Sequence, residues 1–321
     1  MKKYYLSLII LLLTIGLVAC GSSNESNGSN GKNTSEPKKE TSEELTIKHE
    51  LGETKVKKNP KKVVVFDFGM LDTLDKLGVE VTGVPQSGTV PPYLSKYADS
   101  KYINVGSLKE PDFEKIAEID PDLIIISGRQ AELYEDLSEL GPTVYVGLDF
   151  TKYMDSYKEN VAMIGQIFGK EDVVKEELAK VDDQIAKVKD EVTGLNKNAL
   201  IILANEGKIS AYGAGSRFGL IHDVLGFTPV DPKIEVSTHG QSVSFEYVVE
   251  KNPDYLFVID RTAVVGGNTN AKDLIENDLV KNTKAFKEGH IIYLDPNYWY
   301  LSGGGLESVP AMITEVENAI K

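Results

Sequence analysis

Residues 113–126 read FEKIAEIDPDLIII, and residues 245–258 repeat the pattern as FEYVVEKNPDYLFV. Each copy combines an amphipathic helical turn, an Asp/Asn-Pro-Asp break and an apolar run of strand length. One unit used twice points to two similar halves. Three residues beyond each copy stands an arginine, Arg129 after the first and Arg261 after the second. A lone arginine past a strand is ordinarily a solvated surface residue. Two at one register, in a chain of net charge −14, point instead to halves that face a shared site.

Around the two copies, short β-branched runs alternate with helical patterns. KKVVVFD (61–67), VTGV (81–84), INVG (103–106), TVYVG (143–147), ALIILAN (199–205), KISAYG (208–213) and HIIYLD (290–295) read as strands. Helices are predicted over 131–140, 220–225 and 306–320, and a hairpin over 45–56. Such alternation predicts mostly parallel sheets covered by helices. From 171 to 192 the pattern changes: Val174, Leu178, Val181, Ile185, Val188 and Val192 are spaced alternately by four and three, with charges between. That is one long helix with a narrow apolar stripe. A coiled-coil dimer would use the same stripe, but a helix ending at Thr193-Gly194 between two β/α patterns fits a bridge along two domains better. The expected fold is therefore α/β, with two Rossmann-like β/α lobes at 45–168 and 195–321 bridged by one long α-helix at 169–194. A monomer is expected.

The N-terminus reads as an export signal. Lys2 and Lys3 precede an apolar run over 6–18, too short for an ordinary membrane span. It ends at Leu17-Val18-Ala19-Cys20, and Cys20 is the single cysteine of the chain. No internal disulfide is possible, so stability must come from a core. The tract after Gly21, SSNESNGSNGKNTSEPKKETSEE, has nothing apolar to bury and reads as a flexible linker, about 25 Å long root mean square. The predicted processing at 1–19 removes two lysines and leaves 33 basic against 49 acidic residues. That balance argues against nucleic acid or an anionic membrane surface as partner.

Ligands of open α/β sheets bind beyond the carboxyl ends of the strands, which is where Arg129 and Arg261 fall. AYGAGSRFGL (211–220) adds Arg217 between a strand and a helix. Its glycines are spaced GxGxxxG, with no acidic residue closing a second strand about twenty positions on, so it reads as a turn presenting Arg217 and not as a dinucleotide cradle. Three converging guanidiniums suit a multiply charged, oxygen-rich anion. DPNYWYLSGGG (295–305) places Tyr298, Trp299 and Tyr300 in a row, as a recognition loop would, with one or two of them expected to pack inward. Of the four histidines, His222 on a predicted helix and His290 at a strand start read as structural, and His49 sits in an edge hairpin. His239 lies in a polar loop before the second repeat copy. These do not make a bare divalent-metal site, which needs several converging His and carboxylate ligands. No activated nucleophile or clustered acid/base pair stands out, so an exported enzyme is the weaker expectation.

With these motifs in place, the chain from Cys20 to its end resembles the substrate-binding lipoproteins of ABC importers for iron siderophores, haem and cobalamin. The Leu-Val-Ala-Cys lipobox, the linker, two β/α lobes and one bridging helix carry that resemblance, which implies a class III periplasmic-binding-protein-like fold. Within the family, ISGRQ (126–130), GAGSRFG (213–219), THGQSVSFEYVVEKNPDYLFVIDR (238–261) and IIYLDPNYWYLSGG (291–304) look like the ferric-catecholate branch, especially binders of petrobactin-type and related bis-catecholate ligands. The resemblance implies that Arg129, Arg217 and Arg261 neutralise the anionic complex. It implies that His239 and Tyr300 complete the Fe(III) shell when a tetradentate ligand leaves two positions open. Glu114 and Glu246 match the acidic knobs that dock on arginines of the permease, and through it the ATPase. Cys20 matches the lipidated first residue of the mature protein, held by two acyl chains at the outer face of a Gram-positive type membrane. No intrinsic cofactor is implied, since the ferric siderophore is the ligand. SGTVPPYL (87–94) departs from the family pattern, which leaves Tyr93 as a guess at a ligand contact. A haem or cobalamin receptor of the same fold is the alternative within the family.

Overall fold

In the computed structural model the structure describes residues 43–321. The expected signal sequence at 1–19, Cys20 and nearly all of the expected 20–44 linker lie outside the described residues. An antiparallel hairpin, β1 (Glu44–His49) and β2 (Gly52–Lys57), leads into the first lobe. There β3 (Val63–Val65), β4 (Gly83–Val84), β5 (Ile103–Asn104), β6 (Leu123–Ile126) and β7 (Thr143–Tyr145) form a wholly parallel sheet in the order β5-β4-β3-β6-β7. Period-two geometry explains its unbroken apolar strands. Val63, Val65, Leu123 and Ile125 enter one core, while Val64, Ile124 and Ile126 enter the core on the other face.

The second lobe carries β8 (Asn198–Asn205), β9 (Lys208–Tyr212), β10 (Thr228–Pro229), β11 (Gln241–Val243), β12 (Tyr255–Asp260) and β13 (Ile291–Leu294). Its order is β11-β9-β8-β12-β13, with β10 beside β8. This sheet is mixed, because β9 runs antiparallel to β8 and β11 antiparallel to β9. β11 lies in QSV, within the polar stretch that precedes the second repeat copy. An exposed edge strand with one apolar residue carries little periodic signal.

The helices of the first half are α1 (Phe68–Lys76), α2 (Phe113–Ile119), α3 (Tyr134–Ser138) and α4 (Tyr153–Phe168), followed by the long α5 (Glu171–Leu195) and then α6 (Phe245–Lys251). The helix predicted over 131–140 is instead a 3-10 turn, Gly128–Leu133, followed by α3. The repeat is visible in detail. Asp112 caps α2 and Ser244 caps α6, and both helices end in a left-handed residue, Asp120 at φ 52° and Asn252 at φ 44°. Asp and Asn tolerate that conformation, and the following proline stops the helix. The next aspartates then reach back to the start of the central strand: Asp122 Oδ2 accepts from the Lys61 and Lys62 N–H at 3.0 and 2.9 Å, and Asp254 Oδ2 from the Asn198 N–H at 3.2 Å. A crossover helix between parallel strands must run back against them. The N-termini of α2 and α6 therefore lie at the same sheet edges as the carboxyl ends of β6 and β12.

Along α5, Val174, Val181, Val188 and Val192 are buried, with Leu178 and Ile185 partly so. The stripe packs on α4 of the first lobe and on the C-terminal helix Ser308–Ala319 of the second. Polar contacts follow the same division. Glu177 pairs with Lys76 at 3.6 Å, while Lys187 pairs with Glu317 at 2.6 Å and Gln184 donates to Thr314 at 2.8 Å. One apolar cluster runs through both lobes by way of this helix, joining Val63 and Phe68 to Phe257, Ile259 and Met312. A second tie lies where α1 meets the last segment. The buried Asp72 carboxylate accepts from the Glu307 and Ser308 N–H groups and from the Tyr93 hydroxyl, each at 3.1 Å.

Candidate functional site

In each sheet the chain leaves the central strand in one direction and later returns to its other side. In the first lobe this places a switch point between β3 and β6, in the second between β8 and β12. Arg129 follows β6 and Arg261 follows β12, so each stands at the crevice where open α/β sheets bind ligands. A cavity of about 1180 Å³ opens between the lobes there. Ser127, Gly128 and Arg129 line it from one side, and Asn205, Arg217, His239, Arg261 and Tyr300 from the other.

Tyr300 is the meeting point. Its main-chain oxygen accepts from Arg129 Nη2 at 2.8 Å and also from Arg217 Nη2. Its hydroxyl accepts from Arg261 Nε at 2.7 Å, and the Arg217 guanidinium lies 4.3 Å from its ring centre. Burial pushes the phenol toward higher pKa. The Arg261 hydrogen bond and the charges of Arg217, Arg261 and Arg129 outweigh it and hold the phenol below its ordinary value. Burial, then the neighbouring Arg129 charge, lowers Arg217 to about 10, so it remains a cation at neutral pH.

The turn that presents Tyr300 is a π-helical one, Asn297–Ser302, closed by Gly303 at φ 75°. A π turn is wider than an α turn, and here it sends three consecutive aromatics to three places. Tyr300 faces the cleft. Trp299, expected at the ligand, is only 2 % exposed, and its Nε1 donates to Glu315 Oε2 at 2.6 Å. Tyr298, also expected there, packs on Tyr93 with ring centres 4.7 Å apart and is not among the cavity-lining residues. Tyr93 itself is tied by its hydroxyl to Ser302 at 2.6 Å and to Asp72. These contacts brace the turn that presents Tyr300, and of the three residues Trp299 alone also lines the cavity. Residue type and position were the only sequence signals for them, and neither distinguishes a π turn from an open loop.

His239 is exposed on the loop before β11, lines the cleft, and its ring has no hydrogen-bond partner among the described residues. His222 is buried with Nδ1 against the Phe227 carbonyl at 2.9 Å, and His290 stacks on Tyr255 at 4.2 Å. Among the described residues no three His, Cys, Asp or Glu side chains gather as a metal shell. The cleft gathers cations instead, and a cationic concave site suits an oxygen-rich anion that brings its own metal donors. Glu114 and Glu246 are both exposed in the first turns of α2 and α6.

Comparison with known proteins places this geometry. A family model described as periplasmic binding protein matches residues 63–298. The chain is 56 % identical to the petrobactin-binding protein YclQ of Bacillus subtilis (strain 168), across the full length of both. The crystal structure of YclQ superposes with a TM-score of 0.85 at 59 % identity, covering 87 % of this chain and 99 % of that one. The catecholate-siderophore binding protein VctP of Vibrio cholerae superposes with a TM-score of 0.82 at 37 % identity, covering 86 % and 100 %. The ferric-anguibactin-binding protein FatB of Vibrio anguillarum (strain ATCC 68554 / 775) is 34 % identical over 85 % of this chain and 86 % of its own. These likenesses embrace both lobes and the helix between them, and the chain belongs to the periplasmic binding protein family.

Proposed function

We propose that this protein captures a ferric catecholate siderophore, of petrobactin or related bis-catecholate type, between its lobes and delivers it to an ABC permease for iron import. The convergence of Arg129, Arg217 and Arg261 on Tyr300 carries the reading. Three cations gathered on one tyrosine suit a compact anion of catecholate oxygens, whereas haem would offer few anionic groups to three arginines. The names of YclQ and VctP support the same ligand class. Where a tetradentate ligand leaves two iron positions open, the Tyr300 phenolate and the His239 imidazole are the donors that would fill them. The acidified phenol favours this, because a phenolate is a hard donor suited to Fe(III). The arginines bind and orient the complex, and no bond in the cargo is broken. A diacylated Cys20 would hold the protein at the outer face of the membrane, and Glu114 and Glu246 would meet the permease.

Trp299 is the single tryptophan and reports on the turn that bears Tyr300. Titrating its fluorescence with ferric bis- and tris-catecholates, haem and cobalamin tests the reading. Saturable quenching is expected with the ferric catecholates, tightest with a bis-catecholate, and a preference for haem or cobalamin would overturn it.

A further inference from the structure

We propose that Asn205 is a binding residue of the cleft with two roles: its amide oxygen fixes Arg261, and its amide nitrogen donates to an anionic oxygen of the cargo. The inference rests on reading the cleft as a ferric catecholate site and adds to it a residue outside the arginine set.

Asn205 ends β8, and Arg261 follows β12, the neighbouring parallel strand. The Arg261 N–H donates to the Ala204 carbonyl at 3.0 Å, so the two side chains leave adjacent strand ends together. Arg261 Nη1 then donates to Asn205 Oδ1 at 2.6 Å, while its Nε is held by the Tyr300 hydroxyl at 2.7 Å. Two bonds in the plane of the guanidinium fix its orientation and leave Nη2 without a partner among the described residues. The chemistry also fixes the amide. A guanidinium offers only donors, so oxygen must face it and nitrogen must face away. Asn205 Nδ2 has no protein acceptor among the described residues, and Asn205 lines the cleft. Arg261 Nη2 and Asn205 Nδ2 thus form a donor pair at the second switch point, with no acceptor among the described residues.

The first lobe lacks this device. Arg129, the repeat partner of Arg261, is held by the Tyr300 and Leu301 carbonyls across the cleft. An aspartate at 205 would hold Arg261 as firmly but would supply no donor, neutralise the arginine and repel an anion. Asparagine provides the hold without the charge.

The test is ferric bis-catecholate affinity by tryptophan quenching for wild type, Asn205→Ala and Asn205→Asp, and for Asn205→Ala in an Arg261→Ala background. Thermal melts without ligand accompany each. Asn205→Ala is expected to weaken binding about 10-fold, the range of one charge-assisted hydrogen bond. Asn205→Asp should weaken it further while melting within a few degrees of wild type, and Asn205→Ala should still cost several-fold when Arg261 is absent. Wild-type affinity in Asn205→Asp, or no added loss in the Arg261→Ala background, would show that the amide never meets the cargo. Wild-type protein that binds no ferric catecholate would overturn the reading of the cleft itself.

Discussion

Arg129 of the first lobe donates to the main-chain oxygen of Tyr300 in the second, 2.8 Å across the cleft. Arg217 donates to the same oxygen from the second lobe. A neutral carbonyl offers only partial negative charge, so two guanidiniums meeting there are incompletely compensated. The lowered pKa of Arg217, caused by burial and then by the charge of Arg129, expresses that strain. An anion entering the cleft would relieve it, which supports the proposal that the arginines are a binding device and not a structural ion cluster.

Replacing Arg129, Arg217 or Arg261 by alanine is therefore expected to weaken ferric catecholate binding by about 1–3 kcal/mol each. Arg217→Lys should not restore it, because an ammonium cannot both stack on the Tyr300 ring and fork to an oxygen. Quenching titrations read the affinities. Three unchanged constants would remove the basis of the site.

Much of this site was legible in the sequence because it is built on a repeat. The arginine offset, the Asp/Asn-Pro-Asp break and the stripe from Val174 to Val192 are local patterns, and each produces a structure set by local physics. What escaped was non-local. Tyr298 does not line the cavity and Trp299 lines it as a nearly buried ring, because the direction of each side chain on a π turn depends on Tyr93 and Glu315, more than ten residues away in the chain. Asn205 looked like the last residue of a strand, and only the parallel register with β12 places it beside Arg261. Asp72 lies on α1, and nothing nearby in the chain announces that it meets Glu307 and Ser308.

Glu114 and Glu246 occupy matching first turns of α2 and α6, each exposed at the sheet edge from which the arginines emerge. Alanine at both positions should leave ferric catecholate affinity within about twofold of wild type, since exposed charges outside a cleft contribute little to it. Uptake of radiolabelled iron by cells carrying the double variant should be lost. Normal uptake would remove the permease-docking role.

Burial raises Asp72 from its ordinary 3.8 to about 7, although hydrogen bonds from Ser308, Glu307 and Tyr93 oppose the shift. The folded protein then holds a proton that the unfolded chain releases, so stability from this group is full below pH 3.8 and is lost as pH rises through 7. Asp72→Asn cannot titrate and serves as the reference. Between pH 5 and 8, wild type should lose about 2–3 kcal/mol relative to that variant in urea unfolding. A constant difference across the range would show that Asp72 stays ionised at the seam.

The seam also bears on how far the lobes are expected to move. α5 has no proline and its stripe is seated on both lobes within one apolar cluster, so closing the cleft would require bending a continuous helix. At the seam, a Cβ added to Gly305 would fall 1.8 Å from Asp72 Oδ1 and 2.2 Å from the Gly69 carbonyl. Backbone this close has no room to slide. Gly305→Ala should accordingly destabilise the protein by about 1–3 kcal/mol, the cost of overpacking, as read by the urea midpoint. In solution scattering, wild-type protein should show only a slight change of radius on binding ferric catecholate, and Gly305→Ala, with the seam forced apart, should show a larger one. A large compaction of the wild type would mean that the helix bends after all, and that the seam opens and closes with each cargo.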